Sequence, residues 1–195
     1  IAPDPKLDID QIGIPKEMAW MQYRKYIVRK LVQRGMPATQ AVRAVLDRTT
    51  PAEKALHEVM DERPIFINRA PTLHRHSLIG GKPVLVEGDA IKLSPPVEKG
   101  LGADHDGDAV QLHVPSTDEA VDEVYNKLMP SRNLRTPTDF GIHMLPENEF
   151  VSGIYAASQR NKEKRPRTFE SEEAALRAYM RGEIALSDPI RIADA

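Results

Sequence analysis

The chain has 195 residues, with 27 Lys+Arg against 29 Asp+Glu and a formal charge of −2. That is enough chain for a buried core, and the near-balance excludes the uniform basic coat of a non-specific nucleic-acid binder while allowing a local basic patch. Apolar residues at 41% and charged residues at 29% fit a soluble globular chain, no apolar run approaches the ~20 residues of a membrane span, and zero Cys excludes disulfides and thiolate metal sites.

Residues 1–14 are Pro-punctuated and read as extended, with Leu7, Ile9 and Ile12 as buried positions. From Lys16 the residues Trp20, Tyr23, Ile27 and Leu31 recur at helical spacing, and Gly35 is the expected stop. A second helix is expected over 37–46 with Ala38, Val42 and Val45 inward. A third starts at Thr50, where Thr50-Pro51-Ala52-Glu53 has the form of a capping box, and carries Leu56, Val59 and Met60 on one face. Short β-type runs follow at 64–68, 83–87, 90–93 and 109–114, separated by Gly, Pro and Asp, with Glu87-Gly88-Asp89 as a tight turn. In the last run Val110, Leu112 and Val114 alternate with Gln111 and His113. Ser116-Thr117-Asp118-Glu119 is a second capping box, opening a helix whose face is Val121, Val124, Tyr125 and Leu128. Residues 141–145 form a possible further strand, 146–159 and 171–181 are expected helices, and 160–167 is a charged linker.

The chemistry concentrates in Gly102-Ala103-Asp104-His105-Asp106-Gly107-Asp108, directly before the run 109–114. Three carboxylates occupy alternate positions, and Gly107 permits a sharp turn. Two carboxylates ~4 Å apart at an effective dielectric of ~20 repel by roughly 4 kcal/mol, so three brought together require a cation or protons. Hard oxygen donors of this kind suit Mg²⁺. An EF-hand loop would need Gly at its sixth position and Glu at its twelfth, where this chain has Ala109 and Pro115. The plain alternative is a solvated acidic turn. Upstream, the window 63–99 holds Arg63, Arg69, Arg75, Lys82, Lys92 and Lys99, a basic segment of the sort that shares triphosphate charge with a metal. His74, His76, His105 and His113 show no zinc spacing, and there is no Gly-rich phosphate loop or GxSxG.

Asn68-Arg69-Ala70-Pro71-Thr72-Leu73-His74-Arg75 followed by Ala103-Asp104-His105-Asp106-Gly107-Asp108 resembles the largest catalytic subunit (bacterial β′) of multisubunit DNA-dependent RNA polymerases. The intervening Pro83-Val84-Leu85-Val86-Glu87-Gly88 agrees, as do Gly13-Ile14-Pro15-Lys16-Glu17-Met18-Ala19, His113-Val114-Pro115 and Gly153-Ile154-Tyr155; the likeness is good over about 1–160 and faint beyond. It implies an α+β fold with a double-psi β-barrel core formed by 1–14 and 62–146, a helical insertion at 15–61 and a helical C-terminal extension at 147–195. It further implies that Asp104, Asp106 and Asp108 hold a catalytic Mg²⁺, that a second Mg²⁺ arrives with the NTP, and that Arg69 reaches the ribose hydroxyls of the incoming nucleotide. The implied partners are other polymerase subunits, including a β-like second barrel, with DNA template, RNA product and NTPs and no membrane. The implied location is the cytoplasm: the nucleoid, or the host cytoplasm for a viral member.

Two departures stand out. Gly102 lies where the family usually has Asn, a residue that senses the ribose 2′-hydroxyl, so that part of ribose selection is either weaker or filled by another residue. His105 replaces the usual Phe, which fits a divergent or viral member. The chain is far shorter than a whole β′ subunit, so it is expected to be a fragment, a domain or one piece of a split subunit. Two other readings share features with this one: a two-barrel RNA-dependent RNA polymerase, which has the same Asp loop, and a non-catalytic polymerase-like scaffold, against which the three intact Asp residues argue.

Overall fold

The computed structural model describes residues 1–136, 140–159 and 164–193, without the side chains of residues 148 and 149. It divides into two compact units, Ile1–Pro146 and Glu147–Ala195.

In the first unit β1 (Ala2–Pro3) and β2 (Gln11–Pro15) lead into three helices, α1 (Lys16–Gln33), α2 (Ala38–Leu46) and α3 (Thr50–Glu62). Then come β3 (Ile65–Asn68), β4 (Leu78–Val86), β5 (Lys92–Leu93), α4 (Pro95–Leu101), β6 (Gln111–His113) and α5 (Asp118–Glu123). The six strands form one mixed sheet in the order β1-β5-β2-β4-β3-β6. β2 and β4 run parallel from Gln11↔Lys82 to Pro15↔Val86, whereas β3 is antiparallel to both β4 and β6. The α+β class expected from the sequence is what the chain adopts.

The helices bury one face each, and the core runs from them into the sheet through Ile14, Tyr23, Ile27, Leu56, Ile65, Ile67 and Leu93. The Tyr23 hydroxyl donates to the Arg63 carbonyl at 2.8 Å and the Tyr26 hydroxyl to the Pro115 carbonyl at 2.9 Å, so α1 is pinned where the chain enters β3 and leaves β6. The stripe expected on α1 is the buried one. On α2 the expected face is turned: Ala41, Ala44 and Val45 are buried while Ala38 and Val42 face outward. Small Ala side chains let this short helix lie close against α1 and α3, and close packing outweighs the larger apolar residue. The capping box expected at Thr50 does not form. Thr50 is already helical, the Thr49 hydroxyl donates to the Ala44 carbonyl at 3.3 Å, and Glu53 takes Lys16 instead, at 2.6 Å.

β4 is nine residues long, where the sequence suggested only 83–87. Gly80 and Gly81 read as punctuation in the sequence, yet they sit mid-strand because neighbours crowd them. A Cβ on Gly81 would lie 2.5 Å from Ile12 Cγ1, and one on Gly80 2.7 Å from Val124 Cγ1. Helix α4 was not anticipated at all; its Ser94-Pro95-Pro96 start is a helix signal that a run of turn residues hides. β5 and β6 are shorter than the runs 90–93 and 109–114. The helix expected after residue 116 is capped one position later, by Thr117, whose hydroxyl accepts the Ala120 N–H at 3.2 Å, and it passes into a π-type turn over Val124–Leu128. Residues 141–145 make no strand; a single bridge joins Arg135 to Ile142.

The second unit contains α6 (Asn148–Ser158), β7 (Arg167–Phe169), α7 (Glu172–Met180) and β8 (Ile190–Ile192). The Ser171 hydroxyl caps α7 by accepting the Ala174 N–H at 3.2 Å; Ala175 and Ala178 of the helix are buried, as is Ile184 beyond its end. The extension is not purely helical as expected, because β7 and β8 pair in parallel. Each is three residues long, too short to show a period in sequence. Of the expected charged linker, residues 160–163 lie outside the described residues and Arg167 opens β7. No helix among the described residues is long and apolar enough to cross a membrane.

Candidate metal and nucleotide site

The Asp loop hangs between α4 and β6. Helix α4 ends in a Schellman arrangement: the Gly102 N–H bonds the Lys99 carbonyl at 3.1 Å and the Ala103 N–H bonds the Glu98 carbonyl at 3.0 Å. This motif needs a left-handed residue after the helix, and Gly102 supplies it with φ +58° and ψ +36°. Gly107, at φ +119°, makes the second turn of the loop.

Strand pairing explains how Arg69 reaches the loop. In the antiparallel β3–β6 pair Asn68 faces Gln111, so the residue leaving β3 and the residue entering β6 emerge at the same sheet end. There the Arg69 guanidinium grips Asp108 with two hydrogen bonds, Nε to Oδ2 at 2.7 Å and Nη2 to Oδ1 at 3.2 Å. The Asp108 carboxylate also accepts the Asp104 N–H at 2.8 Å. These bonds, the Arg69 pair first, hold the Asp108 carboxyl below the ordinary carboxylate range and push the Arg69 guanidinium up. Asp104 and Asp106 are exposed, and the Asp104 carboxylate accepts the His105 N–H at 2.8 Å.

The structure therefore brings Arg69 to Asp108 and links Asp108 to Asp104. Among the described residues, no group of three or more His, Asp or Glu side chains is arranged to hold a metal ion. By donor chemistry the three carboxylates fit Mg²⁺: all are hard oxygens within one five-residue loop, and Asp108 already binds a cationic group through both oxygens. Convergence of all three requires side-chain and loop adjustment.

The expected basic surround contributes less than its composition suggested. Arg63 is turned to Asp118 at 3.1 Å and over the Tyr26 ring, Arg75 bonds Asn133 at 3.1 Å, and Lys92 lies 3.9 Å from Asp4. Arg69 is the cation of that window whose hydrogen bonds reach the Asp108 carboxylate. Sequence reasoning missed Glu98. It is buried on α4, and its Oε1 lies 2.8 Å from His105 Nε2. No periodicity or motif in the sequence marks a lone acid in an unanticipated helix as an inward one.

Residues 33–130 match the family described as RNA polymerase Rpb1, domain 2. The DNA-directed RNA polymerase subunit beta′ of Thermus thermophilus is 36% identical over 97% of this chain and 13% of its own length. The corresponding subunits of Caldicellulosiruptor saccharolyticus and Bacteroides fragilis are 36% and 34% identical over 96% of the chain and 16% and 14% of their own lengths. The chain thus spans only 13–16% of these relatives. With half its length inside the family match, and the Arg69 and Asp-loop motifs meeting at one sheet end, the chain belongs to the RNA polymerase Rpb1 domain 2 family.

Proposed function

We propose that this chain is the Mg²⁺-binding catalytic segment of a multisubunit DNA-directed RNA polymerase, which adds NTPs to an RNA 3′ end by nucleotidyl transfer. Its mixed sheet is assigned to a double-psi β-barrel made from 1–14 and 62–146, with 15–61 as a helical insertion and 147–195 as a C-terminal extension. Asp104, Asp106 and Asp108 would hold one Mg²⁺, and a second would come with the NTP. Bound there, the metal would favour the RNA 3′-hydroxyl as nucleophile and offset charge on the transferring phosphoryl group. The chain's own groups do the positioning. Asp104 and Asp106 are exposed, in the same loop as Asp108. The bidentate pair uses two of the five N–H donors of Arg69, which leaves Nη1 and one Nη2 proton for ribose hydroxyls.

A β-like second barrel would supply further cations, and DNA, RNA and NTPs would complete the site in the assembled enzyme. The bacterial relatives support a cytoplasmic setting at the nucleoid, or the host cytoplasm for a viral member. The observation that carries the reading is the Arg69–Asp108 contact, because it joins two motifs 39 residues apart. The test is an Asp106→Ala variant of the assembled enzyme. It should lose RNA synthesis while its thermal unfolding midpoint stays within a few degrees of the parent. Near-normal elongation would overturn the assignment.

A further inference from the structure

We infer that His105, packed against the buried Glu98 of α4, is a positioning residue that holds the Asp loop with its carboxylates outward and so sets the loop's affinity for a divalent cation; the inference rests on the function proposed above. Along the loop, Asp104 and Asp106 are exposed, while the side chain between them turns inward to 14% exposure. It turns towards Glu98, whose side chain is only 9% exposed. The His105 Nε2 lies 2.8 Å from the Glu98 Oε1. The two atoms are within hydrogen-bonding separation, although their present orientation does not make the bond.

Glu98 thus grips the loop twice. Its backbone carbonyl accepts the Ala103 N–H at 3.0 Å, and its side chain meets His105 two residues on. The consequences reach the carboxylates directly. The His105 N–H holds the Asp104 carboxylate, the Asp104 N–H holds the Asp108 carboxylate, and Asp108 holds Arg69. A run of contacts therefore leads from the helix end to Asp104, Asp108 and Arg69, three of the four residues proposed for the site. The Phe usual in the family at this position fills space without direction, whereas His paired to a buried acid fixes one orientation.

The test is Mn²⁺ binding to the assembled enzyme, followed by electron paramagnetic resonance, with thermal unfolding run on every variant. His105→Ala should weaken the site roughly tenfold, the lower end of what groups behind metal ligands contribute. Glu98→Ala should do the same, and the double variant should be no weaker than either single, because both remove one contact. His105→Gln, which retains a nitrogen donor near the position of Nε2, should recover part of the loss. Additive losses, or unchanged Mn²⁺ affinity with a lowered unfolding midpoint, would overturn the inference and leave the pair as packing. Asp106→Ala separates the two claims. If it binds Mn²⁺ as the parent does, the metal assignment itself fails; if it loses the ion while His105→Ala keeps it, only the positioning role fails.

Discussion

Replacing Gly102 by Asn tests whether this position faces the nucleotide. The backbone there is left-handed, φ +58° and ψ +36°, a conformation that costs most L-residues roughly 1–2 kcal/mol but that Asn visits routinely. Space is not limiting. Among the described residues outside its chain neighbours, a Cβ at 102 would meet only Arg69 Nη1 within 4 Å, at 3.9 Å. The new carboxamide would therefore stand beside the guanidinium proposed to reach the ribose. One neutral hydrogen bond to a 2′-hydroxyl contributes about 0.5–1.5 kcal/mol, which at 1.4 kcal/mol per tenfold corresponds to about a two- to tenfold gain in preference for NTP over dNTP. The assay is single-nucleotide incorporation of matched NTP and dNTP pairs by the assembled enzyme, native against Gly102→Asn. An unchanged ratio with intact stability would refute the reasoning, since the fold would have accepted the side chain and the sugar would not have felt it.

Arg69→Ala should raise the apparent KM for NTPs by roughly tenfold or more, the worth of a charge-assisted hydrogen bond, and should weaken rejection of 2′-deoxy substrates; a variant that loses only thermal stability would contradict the ribose role. Gly81→Ala places a methyl 2.5 Å from Ile12 Cγ1 between β2 and β4, so urea unfolding should show a loss of about 1–3 kcal/mol, and an unchanged midpoint would mean that the strands separate easily. His76 is buried beside His143, His74 and Arg75, with burial first among the causes that hold its imidazole below the ordinary value near 6.5. The unfolded chain then takes up the proton first as pH falls, so stability should be full above about pH 6.5 and decline below it, and His76→Leu should flatten that decline in urea midpoints measured between pH 7.5 and 5.5.

How much of this was legible depends on the range of the forces involved. The α1 stripe of Trp20, Tyr23, Ile27 and Leu31 is a local period, and it is buried as read. The α3 face of Leu56, Val59 and Met60 follows the same rule. Features set by a distant neighbour were not readable. Gly80 and Gly81 look like a turn until Val124 and Ile12 are seen against them. Val42 looks like a core residue until two alanines bring α2 in on another face. At the site, Arg69 and the Asp loop stood out by residue type and order. That they meet is a property of the β3–β6 register, and that Glu98 lies behind them is a property of α4, which the sequence did not announce.

The charge of the loop gives an independent reason to expect a divalent cation there. Asp104, Asp106 and Asp108 bring three negative charges into five residues; the Arg69 guanidinium pairs with the Asp108 carboxylate, and the Ile1 ammonium donates to the Asp108 carbonyl at 2.8 Å. Arg63 and Lys92 lie against acids elsewhere, and Arg75 is held by Asn133. Asp104 and Asp106 remain exposed to water, where a divalent cation would offset their charge. Water screens the exposed Asp104 and Asp106 carboxylates; if partner subunits close over the site as proposed, that screening would weaken, and a carboxylate pair brought to ~4 Å would cost roughly 4 kcal/mol at an effective dielectric of ~20. In the proposed assembly, closure and metal binding should therefore strengthen each other: closure would make the bare loop costly, and a bound ion would remove that cost. The Mg²⁺ or Mn²⁺ affinity of this chain alone should be weaker than that of the assembled enzyme.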